Sequence, residues 1–89
     1  MNYDSDELSP FDTTVHIFRE RCERFAFEIK RMTDSGYTFN EIDEVFKNGV
    51  KALTIMLFHF QNLEFNTCER IFRICFDLAF NILHNLHKR

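Results

Sequence analysis

The sequence predicts an all-α fold, a small three-helix bundle of long antiparallel helices assembled into a homodimer or a higher oligomer. Three observations predict it. Apolar residues recur at alternating spacings of four and three over long stretches, which is the period of one helix face. Three segments place a capping residue three positions before a carboxylate. The 89 residues include two Gly and one Pro, too few turn formers for the hairpins that a β fold of this length requires.

Residues 1–8 read as an acidic tail, and residues 9–89 as a single helical domain. Ser9-Pro10-Phe11-Asp12 opens the first helix: Ser9 caps, Pro10 suits the first helical position, and Asp12 reaches back to the cap N–H. The helix is expected over about residues 10–33. Phe11, Val15, Phe18, Cys22, Phe25, Ile29 and Met32 form its apolar stripe. Lys30 and Arg31 sit where the helix dipole favours cations, and Asp34-Ser35-Gly36 stops the helix with Gly36 left-handed.

Thr38-Phe39-Asn40-Glu41 opens the second helix, expected over about residues 39–62, with Tyr37 and Ile42 at the two ends of a hydrophobic staple. Its stripe is Phe39, Ile42, Phe46, Gly49, Leu53, Met56, Phe60 and Leu63. Gly49 lies on the stripe itself, which points to close approach of another helix more than to a kink. Asn66-Thr67-Cys68-Glu69 opens the third helix, expected over about residues 67–87, with a stripe of Cys68, Phe72, Cys75, Ala79, Ile82 and Leu86. The second register, carried forward, would put Thr67, Arg70 and Asp77 into the core. A break near residues 64–66 is therefore expected, although no Gly or Pro marks it.

Helices 2 and 3 carry more apolar residues than one stripe each. Ile71, Ile74 and Leu78 flank the third stripe on one side, and Phe76, Phe80 and Leu83 on the other. Val50, Ile55, Leu57 and Phe58 supplement the second. Leaving a large side chain of this kind in water forgoes about 1.5–3 kcal/mol relative to burial, and a contiguous patch marks an interaction surface. Phe76, Phe80, Leu83, Phe58 and Ile55 are accordingly the expected interface, and a second copy of the chain is the simplest cover.

Arg70 and Arg73, one turn apart, lead into the aromatic flank, and Arg19 and Arg21 flank the first stripe. Together they could hold a nucleotide or phosphate at a subunit interface. The plainer reading is rim charge paired with Glu20, Glu23, Glu28 and Asp77, with Glu20–Arg24 at the favourable i,i+4 spacing. His84 and His87 share a helix face, but a zinc site takes three or four protein ligands and no others stand at metal spacing. Neither metal nor cofactor is expected. Cys22, Cys68 and Cys75 fall in apolar helical positions and read as small buried hydrophobes in a reducing, cytoplasmic compartment.

Other function classes find little support. There is no Gly-rich phosphate loop, nucleophile elbow or HExxH. The net charge of −3 ranks nucleic-acid binding through helix 1 last among the binding readings. The acidic start is unlike a signal peptide. The longest uncharged run, Ala52 to Leu63, falls short of the ~20 residues that cross a bilayer. The sequence thus reads as a non-enzymatic interaction or regulatory protein acting by protein–protein association. Its style is that of small virus- or plasmid-encoded regulators or inhibitors, although no motif carries that impression. The alternative is an oligomer that binds a small ligand or nucleotide.

Overall fold

The computed structural model describes residues 10–60 and 62–88, and the side chains of residues 13–60 and 65–86. It contains three helices: α1 (Pro10–Asp34), α2 (Phe39–Leu57) and α3 (Asn62–Lys88). Among the described residues there is no strand, and no helix is long and apolar enough to cross a membrane.

Backbone chemistry fixes the first corner. Gly36 adopts φ +87°, a conformation that costs glycine little and other residues much. That reversal lets the Gly36 N–H donate to the Thr33 carbonyl at 3.3 Å and the Tyr37 N–H donate to the Met32 carbonyl at 3.1 Å. The pair is a Schellman closure, which satisfies carbonyls that the helix end would otherwise strand. Two residues later the expected capping box forms. The Glu41 N–H donates to Thr38 Oγ1 at 3.2 Å, and the Thr38 N–H donates to Glu41 Oε1 at 2.9 Å. The expected cap of α1, Ser9, lies outside the described residues, as does the acidic tail.

The second corner departs from the expectation. α2 ends at Leu57, not near residue 62, and α3 begins at Asn62, so Asn66–Glu69 lies inside a helix and opens nothing. The chain turns at residues 58–60. The N–H groups of His59 and Phe60 donate to the carbonyls of Met56 and Leu57, three residues back. This tightened turn needs no glycine. Burial explains its position. Starting α3 at Asn62 puts Phe65 in line with Cys68 and Phe72 against the core. Turning at residue 58 tucks Phe60 edge-on against Phe18, with ring centroids 5.5 Å apart.

Ring contacts give the helix directions. Phe18 meets Phe60, and Phe25 meets Phe46, so α2 runs back along α1. Phe46 also meets Phe76 and Phe80. A small cleft joins Phe39 to His84, so α3 returns parallel to α1. The core is the predicted stripes brought together: Phe18, Cys22, Phe25, Ile29 and Met32 from α1, Ile42, Phe46 and Leu53 from α2, and Cys68, Cys75 and Ala79 from α3. Ala26, Leu57 and Leu83 are buried as well. Leu57 was assigned to the surplus of helix 2, and it belongs to the core. The body measures 47 × 29 × 16 Å across its Cα atoms. A body so thin keeps part of every helix at the surface.

Gly49 is a point of close approach. The ring of Phe25 lies across it, and a Cβ built there would fall 2.5 Å from Phe25 Cε1. Phe25 is itself held by the Phe46 ring, with centroids 5.7 Å apart, so the ring cannot give way freely. Gly49→Ala should gain about 1 kcal/mol of helix propensity and lose about 1–3 kcal/mol to overpacking, for a net loss of about 1 kcal/mol. Urea unfolding measures it. With Phe25→Leu in the same chain the loss should vanish, and a stabilised single variant would refute the contact.

The three cysteines are buried thiols that form no disulfide, as their positions predict. Burial raises the Cys22 thiol from its ordinary 9.0 to about 12, with Cys75 and Cys68 nearby adding to the effect, and burial raises Cys75 also. Because the fold holds the Cys22 proton more tightly than the unfolded chain does, this contribution is whole below pH 9. It is lost progressively as pH rises through 12. Unfolding free energy should therefore fall more steeply over that range for the wild type than for Cys22→Ala. Parallel slopes in denaturant titrations would count against a buried thiol.

Candidate interaction surface

The residues expected to form one interface do not come together. Leu83 is 5% exposed and belongs to the core, because α2 returns against the flank of α3 that carries it. Phe76 is half-buried against Phe46, with centroids 5.5 Å apart. Phe80 stays exposed on one side, but it too meets Phe46, at 6.4 Å. Phe72, Phe76, Phe80 and His84 follow one another along this flank at 5.8 to 6.1 Å, the first pair tilted and the other two stacked. Phe80 and His84, at its C-terminal end, line a cleft of about 140 Å³ together with Phe39 and Phe46. Phe58 and Ile55, 74% and 51% exposed, lie near the opposite end of α2. From Phe46 to Phe58 is about 18 Å of helix.

The larger concavity lies between α1 and α2. It has a volume of about 660 Å³ and a floor of Phe25, Gly49 and Leu53. Its α1 wall is Ile17, Glu20, Arg21, Arg24 and Glu28, and its α2 wall is Val45, Asn48, Ala52 and Met56. The size falls in the range of roughly 300–1,000 Å³ typical of ligand sites. The groove exists because the α1–α2 seam is the less intimate one. α1 packs far more extensively on α3 than on α2.

The groove's lip carries both paired and unpaired charges. Four exposed pairs form along the helices, Lys30 with Asp34 at 2.9 Å, Arg31 with Glu28 at 2.5 Å, Lys47 with Asp43 at 3.0 Å and Arg73 with Glu69 at 3.2 Å, whereas Arg19, Glu23, Lys51, Arg70 and Asp77 have no ion pair among the described residues. Arg31 holds the Glu28 carboxyl below its ordinary range by hydrogen bonding. The expected Glu20–Arg24 pair is not among the ion pairs of the described residues, and Arg21 has no ion pair there either. The groove wall thus presents one acid, Glu20, and two bases, Arg21 and Arg24, without ion pairs among the described residues.

The four arginines proposed to meet around a phosphate do not meet within one chain. Arg73 is committed to Glu69. Arg70 is exposed on α3. Arg19 and Arg21, two residues apart on a helix, point about 200° apart, and of the four only Arg21 lines the groove. His84 stacks on Phe80 at 5.8 Å, and the His87 side chain lies outside the described residues. No cluster of metal-ligating side chains occurs among the described residues.

Two exposed apolar residues lie outside the apolar surplus that the sequence pattern marks. Phe27 is 64% exposed and Ile17 41% exposed, both on α1, the helix assigned a single clean stripe. Both are off-stripe apolar residues, and that was the signal available. Ile74 and Leu78 form a second exposed apolar strip on the side of α3 away from its aromatic ladder. No family model, curated protein or solved structure matches the chain.

Proposed function

We propose that the chain is a non-enzymatic interaction protein that acts by protein–protein association, and that its first partner is a copy of itself. The observation that carries this reading is the α1–α2 groove, apolar along its floor and lipped by Glu20, Arg21 and Arg24, which have no ion pair among the described residues. The α1 wall of that groove, where Ile17, Glu20 and Arg24 are exposed, suits a neighbouring helix: apolar contact supplies affinity, and the lip charges select orientation. The remaining exposed apolar residues fit the same reading, since a body this thin cannot bury them alone.

A second reading, a small anionic ligand such as a nucleotide, is favoured by Arg21 and Arg24 on the groove wall. It anticipates a rise in melting temperature with nucleotides or inorganic phosphate. An unchanged melting temperature across such a series removes it.

Self-association is tested by molar mass from light scattering over a concentration series. The expected result is a dimer or larger species for the wild type, and a shift toward monomer for Ile17→Lys, with helicity by circular dichroism unchanged. A wild-type chain that remains monomeric at the highest concentration reached would overturn the reading.

A further inference from the structure

The inference drawn here rests on self-association and specifies its surface. The buried stripe of α1, Phe18, Cys22, Phe25 and Ile29, points inward. At about 100° per residue, Ile17, Glu20, Arg24 and Phe27 fall on the opposite side of the helix, and all four are exposed. Their order has an internal symmetry. Glu20 and Arg24 lie two residues on either side of position 22, and Ile17 and Phe27 lie five residues on either side.

We infer that two copies associate through the outer face of α1, antiparallel, about a two-fold axis at residue 22. A two-fold interface is self-complementary: if residue i meets j, then j meets i. An antiparallel pair centred on position 22 sets Glu20 against the partner's Arg24 and Arg24 against the partner's Glu20. The same register sets Ile17 against the partner's Phe27, twice. Each of the two large exposed apolar residues of α1 thereby gains an apolar neighbour, and Glu20 and Arg24, which have no ion pair among the described residues, gain opposite charges. A shift of the axis to position 22.5 would set Arg21 against the partner's Arg24, so the charge order discriminates between neighbouring registers. The strip of Ile74 and Leu78 on α3 is comparably apolar but offers no such symmetric charge pattern.

Charge reversal tests the register. Arg24→Glu alone places two acids against two acids at the axis, and Glu20→Arg alone places bases against bases. Each should raise the dimer dissociation constant by at least about tenfold. An equimolar mixture of the two single variants should recover a mixed dimer, since every contact across the axis is again opposite in sign. The double swap Glu20→Arg with Arg24→Glu should recover a homodimer. A chain with Ile17→Cys, mixed with one carrying Phe27→Cys, should form a disulfide-linked heterodimer under mild oxidation by a small-molecule disulfide. Because all four side chains are exposed, the helical fold should survive each change, which circular dichroism checks. If the wild type dimerises and the single reversals dimerise equally well, or the mixture does not recover, this face is not the interface although self-association stands. A wild type that is always monomeric overturns both readings.

Discussion

Small side chains on the seam between α1 and α3 set the geometry of the whole molecule. Cys22 and Ala26 from α1 and Cys68, Cys75 and Ala79 from α3 are all buried. The distance between packed helices depends on the side chains at the contact, so a seam of thiols and methyl groups lets two helices approach closely along much of their length. Burial of this kind is also what keeps the Cys22 thiol protonated to high pH. The α2 seams are built differently. Phe25, Phe46, Phe76 and Phe80 occupy them, and rings hold α2 farther out. Gly49 relieves that spacing at one point, where the Phe25 ring occupies the room a side chain would need. The groove is what the spacing leaves beside that point.

The same contrast accounts for the fate of the aromatic flank of α3. Off the narrow stripe of Cys68, Cys75 and Ala79, residues 76, 80 and 83 look surplus, because a heptad stripe takes no account of a third helix. Once α2 returns antiparallel, that flank faces it. Leu83 is sealed, Phe76 half sealed, and Phe80 left with one open side. Surplus apolar surface therefore remains where no third helix can reach: the outer faces of α1 and α2 and the far side of α3.

Helix identity, the phase of each buried stripe and the first corner were legible in the sequence because each rests on local chemistry. A Gly that can turn left-handed, a Thr three residues before a Glu and a strict apolar period act within a few residues of themselves. The second corner was not legible in this way. Asn66-Thr67-Cys68-Glu69 carries a valid local capping signal, but the gain from burying Phe60 and Phe65 lies in contacts with another helix and outweighs it. The candidate site was legible only in part, for a related reason. Which side of a helix is left uncovered depends on the angle at which its neighbours arrive, and a groove between two helices is a property of spacing, not of either sequence stretch. The pairing of exposed charges was likewise misjudged at Glu20 and Arg24. Favourable spacing permits an i,i+4 pair worth only a few tenths of a kcal/mol, too little to commit flexible side chains by itself.

That small energy bears on how association is specified. Apolar contact is non-directional, so exposed phenylalanines and isoleucines alone would allow several helix pairings of similar stability. Orientation must come from groups whose energy changes sign with position, and charges do this: the same lip that attracts in one register repels in the next. Such a device works best when the charges are not already neutralised by neighbours on their own helix. On α1 the bases near the C-terminal end, Lys30 and Arg31, are held by Asp34 and Glu28, whereas the central charges, Arg19, Glu20, Arg21, Glu23 and Arg24, have no ion pairs among the described residues. The apolar surplus thus sets how strongly the chain can associate, and the few unneutralised charges beside it set which of the possible pairings is selected.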